Sequence, residues 1–263
     1  MLDVFLELAA EAGSIIRQFY EKGDYTTEIK TDNSPVTTAD YKANEAIVSG
    51  LRSTFPQIPI ISEELDVKDK KVDDFFLVDP LDGTKGFIKG TGQFTVNIAY
   101  IKEKKPFSGV IYSPMSGDMF FSDEKKNAFR KNRITNSKKI LLDRQIKQEA
   151  SSTARVLISR EHLDKKTARF LKSIDEHNTI RMGSSIKFCL LAEGKADFYP
   201  RNGPTMEWDT AAGHAILSAA GGSVIDLTTK KELVYGKKNY KNNSFFAYNC
   251  SKSQIKSICE HLT

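Results

Sequence analysis

Phe75-Phe76-Leu77-Val78-Asp79-Pro80-Leu81-Asp82-Gly83-Thr84-Lys85 is the stretch from which fold and chemistry are both legible. Four apolar residues make a short strand that ends on Asp79. Pro80 has no N–H to donate and stops the pairing, and Asp82 follows three residues on, in a turn. Two carboxylates that close repel one another unless a cation lies between them, and hard oxygen donors suit Mg²⁺. Gly83 and Thr84 then offer backbone N–H groups at the start of the next turn or helix, where an anion is favoured. The stretch reads as a metal beside a phosphate, although in isolation it is equally a β-turn with an Asx cap.

Further acidic positions flank it. The apolar strand Ile58 to Ser62 runs into Glu63 and Glu64, and burying a strand end beside two carboxylates is costly without a cation. Glu207-Trp208-Asp209 opens an Ala-rich helix over 208–220, closed by Gly221-Gly222, so Asp209 also fits a helix cap.

Around these positions the periodicity changes twice. Phe5, Leu8, Ala9, Ala12, Ile15, Ile16 and Phe19 recur at helical spacing, which predicts an amphipathic helix over 3–21 ended near Gly23 and packed on a core. A second helix is expected from Ala39 to Phe55. Short β-rich runs at 75–78, 94–101, 109–112 and 119–122 predict an antiparallel meander. The polar stretch from Asn132 to Ser152 is the expected crossover. Beyond it, strands (156–159, near Ile180, 196–199, 223–225) alternate with helices (162–173, 184–193, 208–220), which is α/β texture. The expected division is an N-terminal α+β lobe, 1–135, carrying most metal ligands, and a C-terminal α/β lobe, 136–263, carrying Asp209 and substrate-binding residues.

Composition bounds the partners. The chain has 263 residues, 40% of them hydrophobic and 28% charged, enough for a full core. Its net charge of +5 is spread thinly, which suits a small anionic ligand better than nucleic acid. The nearest basic group, Lys237, Lys238 and Lys241 around Tyr240, reads as a solvated loop. Three cysteines without a C-x-x-C pair argue against a disulfide framework or thiolate zinc site and for a reducing cytoplasm. No apolar run reaches the ~18 residues needed to span a bilayer, and Asp3, Glu7 and Glu11 do not suit a signal peptide. Peripheral attachment to the inner membrane face is left open, as is the oligomeric state.

Ser62-Glu63-Glu64, Asp79 to Thr84 and Trp208 to Gly213, in this order and spacing, resemble the inositol monophosphatase superfamily of Mg²⁺-dependent, lithium-sensitive phosphatases. Asn33 to Asp40, Leu81 to Lys85, Phe94 to Ala99, Gly183 to Cys189 and Pro200 to Thr205 are similar to its 3′(2′),5′-bisphosphate nucleotidase branch. The resemblance implies a layered α-β-α-β-α sugar-phosphatase-like fold. It implies Glu63, Asp79 and the Leu81 carbonyl as ligands of a first Mg²⁺, and Asp79, Asp82 and Asp209 as ligands of a second. It allows a third, looser ion at Glu63. Thr84 and Asp40 are implied to orient the attacking water, the Gly83 and Thr84 amides to cradle the scissile phosphate, and Ser184, Lys187 and Arg201 to hold the second phosphate and nucleoside. His162 is a weaker candidate for the same role. Glu63 and Asp209 also face the substrate in this reading.

The implied activity is hydrolysis of the 3′-phosphate of adenosine 3′,5′-bisphosphate, with 3′-phosphoadenylyl sulfate as a further substrate. The alternatives are an inositol or sugar monophosphatase on the same scaffold and a catalytically silent nucleotide-binding protein. Two departures stand out: Gly86 and Gln93 occupy positions where the branch often has Glu.

Overall fold

The structure is a computed structural model that describes residues 1–65, 72–133, 135, 140–141, 153–160, 163–174 and 176–250. Helix α1 (Leu2–Lys22) buries Phe5, Leu8, Ala9, Ala12 and Ile16 along one stripe and ends at Gly23, whose left-handed φ of 68° lets its N–H reach the Phe19 carbonyl at 2.9 Å. Strands β1 (Thr27–Ile29) and β2 (Pro35–Thr37) form a separate antiparallel hairpin that leads into α2 (Thr38–Thr54).

A seven-stranded sheet has the order β3 (Ile60–Ser62), β4 (Phe75–Asp82), β5 (Thr95–Lys102), β6 (Lys105–Ser113), β7 (Asp118–Ser122), β8 (Ala128–Asn132), β9 (Ile140–Leu141). From β4 to β7 the strands pair antiparallel as the expected meander, and at the edge β3 runs parallel to β4. Strand β9 lies past residue 135, the expected boundary, and still pairs with β8 of this sheet. Most of the expected 132–152 crossover lies outside the described residues.

The second sheet has the order β11 (His177–Met182), β10 (Ala154–Ser159), β12 (Phe198–Arg201), β14 (Phe245–Tyr248), β13 (Ser223–Asp226), with parallel pairs on the β10 side and antiparallel pairs on the β14 side. Its helices are α4 (Lys165–Ser173), α5 (Ile186–Ala192) and α6 (Ala211–Ala219), while α3 (Thr84–Ile88) belongs to the first lobe. Three apolar clusters define the layers. One joins α1 and α2 to the near face of the first sheet; the second joins its far face to α5, α6 and the second sheet; the third joins the second sheet to α4. The result is the α-β-α-β-α stack. Gly109 on β6 is what brings the middle layer close, since a Cβ there would lie 2.7 Å from Ala212 Cα on α6.

Tyr240 is a correction to the solvated-loop reading: it is 3% exposed and packs on Phe75 and Trp208, because its ring fills the seam between the first sheet and the turn before α6. Among the described residues no helix is long and apolar enough to cross a membrane.

Candidate active site

The end of β4 is built by Pro80. The strand pairs with β5 as far as Asp79 opposite Asn97, skips two residues, and resumes at Asp82 opposite Thr95. Pro80 cannot donate to the ladder, so the strand bulges instead of stopping, and Asp79 and Asp82 are displaced relative to a plain two-residue alternation. Asp79 Oδ1 accepts the Leu81 N–H at 3.1 Å, and the Leu81 carbonyl lies 3.2 Å from Thr84 Oγ1. Gly83 follows at φ 95°, and a Cβ there would come within 2.9 Å of the Gln93 carbonyl. Only glycine fits this turn into α3.

Asp40 serves two partners, one with each oxygen. Its Oδ2 accepts the Thr37 N–H at 2.8 Å and the Thr37 hydroxyl at 2.5 Å, capping α2, while its Oδ1 is 3.0 Å from Thr84 Oγ1. Burial raises the Asp40 carboxyl above its ordinary range, and the Thr37 and Thr84 hydrogen bonds oppose that. Thr37 and Thr84, 3 and 44 residues away in sequence, thus both present the carboxylate with donors.

Glu63, Asp79 and Asp209 each bring one carboxylate oxygen to a point where all three lie within 4.8 Å of one another. Three elements converge to do this. Glu63 follows β3, its N–H bonded to the Val78 carbonyl at 3.1 Å; Asp79 ends β4; Asp209 closes a 3₁₀ turn over 207–209 ahead of α6, with Oδ2 accepting the Met206 N–H at 2.8 Å. The cap reading of Asp209 therefore coexists with its place in the cluster. Asp82 is not one of the three; its Oδ2 takes the Ser185 N–H in a short hydrogen bond that ties the two lobes together.

The electrostatics of the group are unbalanced. Burial pushes the Asp79 carboxyl well up, and Glu63, Asp82, Asp209 and Glu64 add to it; Asp209 is driven well up by burial, then Asp82 and Glu63. Asp82 is also raised by burial, with Lys187 and the Ser185 N–H opposing. Such a donor set, all hard oxygens and short of positive charge, fits a divalent cation such as Mg²⁺. Lys30, from the hairpin, sits on the rim with Nζ 2.9 Å from Glu63 and 2.6 Å from Glu64. Glu64 is pushed up to about 7, mainly by burial. No local pattern marks Lys30 in the sequence, because its partners lie 33 and 34 residues away.

Two cavities meet over these carboxylates. One, of about 290 Å³, is lined by Glu63, Asp79, Leu81, Gly83, Thr84 and Gln93 among others. The second, about 120 Å³, is lined by Ser185, Lys187, Tyr199, Arg201 and Thr205, and the two share Asp82, Ser159, Ser184 and Asp209. Lys187 is 5% exposed; its Nζ donates to the Ser184 carbonyl at 2.6 Å and the Met182 carbonyl at 3.3 Å and lies 5.2 Å from the Tyr199 ring centroid. Burial lowers its pKa to about 8, against the pull of Asp82. Arg201 Nη2 donates to the Pro204 carbonyl at 3.1 Å, and its buried Nε has no partner among the described residues. The structure thus gathers Glu63, Asp79, Leu81, Asp82, Gly83, Thr84, Ser184, Lys187, Arg201 and Asp209 around two adjoining cavities, with Asp40 behind Thr84. His162 lies outside the described residues.

Residues 1–262 match the inositol monophosphatase family. Among curated relatives, "3′(2′),5′-bisphosphate nucleotidase CysQ" of Escherichia coli (strain K12) is 45% identical over 232 residues, covering 86% of this chain and 90% of that protein. Among solved structures, CysQ from Bacteroides thetaiotaomicron superposes with a TM-score of 0.80 at 39% identity over 95% of this chain and 97% of that one. The extragenic suppressor protein suhB from Bartonella henselae gives a TM-score of 0.80 at 25% identity over 100% and 98%.

Proposed function

The chain belongs to the inositol monophosphatase family, and on that footing we propose that it is a Mg²⁺-dependent 3′(2′),5′-bisphosphate nucleotidase. It converts adenosine 3′,5′-bisphosphate to AMP and phosphate and also accepts 3′-phosphoadenylyl sulfate. Glu63, Asp79 and the Leu81 carbonyl would hold one ion, and Asp79, Asp82 and Asp209 a second; a third at Glu63 would have to displace Lys30. Bound there, Mg²⁺ supplies a lowered pKa for water and charge neutralisation at the leaving oxygen. Lithium inhibition and a reducing cytoplasm are further expectations of this reading.

The chain's own groups do the rest. Thr84 accepts a hydrogen bond from the water and passes its own hydroxyl proton toward Asp40 Oδ1, 3.0 Å away, which fixes the water oxygen in line with the phosphorus. The Gly83 and Thr84 N–H groups face the scissile phosphate. Ser184, Lys187 and Arg201 take the second phosphate, the lysine as a point charge and the arginine as a fork.

The observation that carries the nucleotide reading is the second cavity: a buried ammonium and a guanidinium stand beside the carboxylate group, where a monophosphate substrate has nothing to offer them. Phosphate release from adenosine 3′,5′-bisphosphate, inositol 1-phosphate and fructose 1,6-bisphosphate, with Mg²⁺, with chelator and with Asp82→Asn, tests it. The expected result is Mg²⁺-dependent turnover of the nucleotide that Asp82→Asn abolishes. Faster turnover of inositol 1-phosphate would remove the roles given to Ser184, Lys187 and Arg201, and nucleotide binding without released phosphate would mark a silent binding protein.

A further inference from the structure

Gln93 stands between the lobes. Its backbone carbonyl lies against the turn that precedes and opens α3, where a Cβ at Gly83 would approach it to 2.9 Å and a Cβ at Gly86 to 2.8 Å. Its backbone N–H donates to Thr91 Oγ1 at 3.3 Å, and that hydroxyl in turn donates to the Gly86 carbonyl at 3.0 Å. Gly86 therefore has a steric role: without a side chain it lets the 91–93 segment close onto the loop, which places Gln93 against the second lobe.

Across the cavity, Gln93 Oε1 accepts the Gly183 N–H at 3.0 Å. That contact orients the amide, since an N–H donor can be met only by the oxygen. Gly183 starts a turn in which Ser184 holds φ 49°, a left-handed conformation that a serine does not adopt without support. Three groups supply it: Gln93 at the Gly183 N–H, Asp82 at the Ser185 N–H, and Lys187 at the Ser184 carbonyl. Loss of the first frees the end of the turn that also carries the Ser185 N–H to Asp82.

The other end of the amide is unused. None of the described residues accepts from Gln93 Nε2, and Gln93 lines the larger cavity together with Asp82, Thr84 and Ser184. We propose that Gln93 has two roles in the reaction: it anchors the Ser184 turn to the loop before α3, and it presents its NH₂ as a donor to an oxygen of the anionic substrate. The proposal deepens the phosphomonoesterase reading and rests on it. A carboxylate at this position would keep the anchor but offer only acceptors and a negative charge to that oxygen.

That asymmetry supplies the test. Steady-state kcat and KM for phosphate release with Mg²⁺ are measured for the unaltered chain, Gln93→Glu and Gln93→Leu, on adenosine 3′,5′-bisphosphate and inositol 1-phosphate in parallel. Gln93→Glu retains the acceptor for Gly183, so kcat stays within about twofold while KM rises more than about tenfold, from the lost hydrogen bond to a charged group and the added negative charge. Gln93→Leu, which loses the donor without adding charge, raises KM about tenfold and, with the turn released, lowers kcat by about tenfold. An unchanged KM in Gln93→Glu overturns the donor role. Equal kcat in the two variants overturns the anchor, and should Gln93→Leu not fold, the KM-against-kcat split of Gln93→Glu decides alone. Turnover of inositol 1-phosphate only would overturn the nucleotide reading while leaving Gln93 to be judged on that substrate; turnover of neither overturns both.

Discussion

Asp79 and Asp197 are both buried aspartates, 1% and 6% exposed, and the fold treats them in opposite ways. Asp197, just before β12, is answered in full: Arg155 approaches it with Nε at 3.0 Å and Nη2 at 2.7 Å, and its Oδ2 also accepts the Arg155 N–H at 2.7 Å. Asp79 receives one backbone N–H and is surrounded by Glu63, Asp82 and Asp209. A chain that pairs one buried carboxylate so completely and leaves the other among like charges has separated two uses of the same side chain. The paired one holds β10 and the loop before β12 together, and the unpaired one is destabilising until a cation arrives.

Substitutions at the two positions sharpen that contrast. Asp79→Asn should lower turnover of the preferred substrate by at least about a thousandfold, because both proposed ions lose a shared ligand. In chelator the same variant should melt higher than the unaltered chain, since the hydrogen bond to Leu81 survives and the repulsion goes. The sign follows from linkage. A carboxyl whose folded pKa is raised keeps a proton that the unfolded chain releases, so metal-free stability falls as pH rises from the ordinary aspartate range through the raised value. Asp79→Asn should flatten that slope in thermal melts from pH 4 upward, and an unchanged or lower melting temperature in chelator would break the comparison.

Asp197→Ala should do the reverse: a loss of about 2 kcal/mol in denaturant unfolding, from a stranded guanidinium and backbone N–H, with kcat/KM within about twofold. A smaller effect is expected at Lys187, which combines burial with a functional charge. Its pKa of about 8 means that the ammonium is lost as pH rises past that value, so KM for the bisphosphate should climb about three- to tenfold between pH 7 and 9. Lys187→Gln should start with the raised KM and show no such rise. The cost of burying this ammonium weighs on stability below pH 8 and fades as pH rises toward the ordinary lysine range.

The acidic positions stand out because each puts a carboxylate at the end of an apolar strand or at the start of a helix, where a turn or a cap also fits, and it is the resemblance of the three motifs in order to a phosphatase family that marks them as metal ligands. The helix over 3–21 and the meander strands were legible from their periods. Less visible were β1, three residues exposed throughout, β2, three residues of which Val36 and Thr37 are buried, and β14, which is apolar but follows a polar stretch like that of many loops. Pro80 suggested a strand end and instead marks a bulge, because the neighbouring strand β5 continues past it and resumes pairing at Asp82. Tyr240 looked solvated among lysines, whereas its ring is drawn into the seam beside Phe75.

Residue order alone supplies an inventory: which carboxylates end which elements, which residues resemble a phosphatase family, and that the charge suits a small anion. These are local properties of segments, set by period, turn chemistry and residue type. Adjacency came from tertiary packing alone. That Asp40 turns an oxygen to Thr84, that Lys30 guards Glu63, and that Gln93 reaches Gly183 are contacts across 33 to 90 residues of chain. Such pairs leave no periodic trace, because what brings them together is the packing of α6 on Gly109 and of one sheet layer on the next.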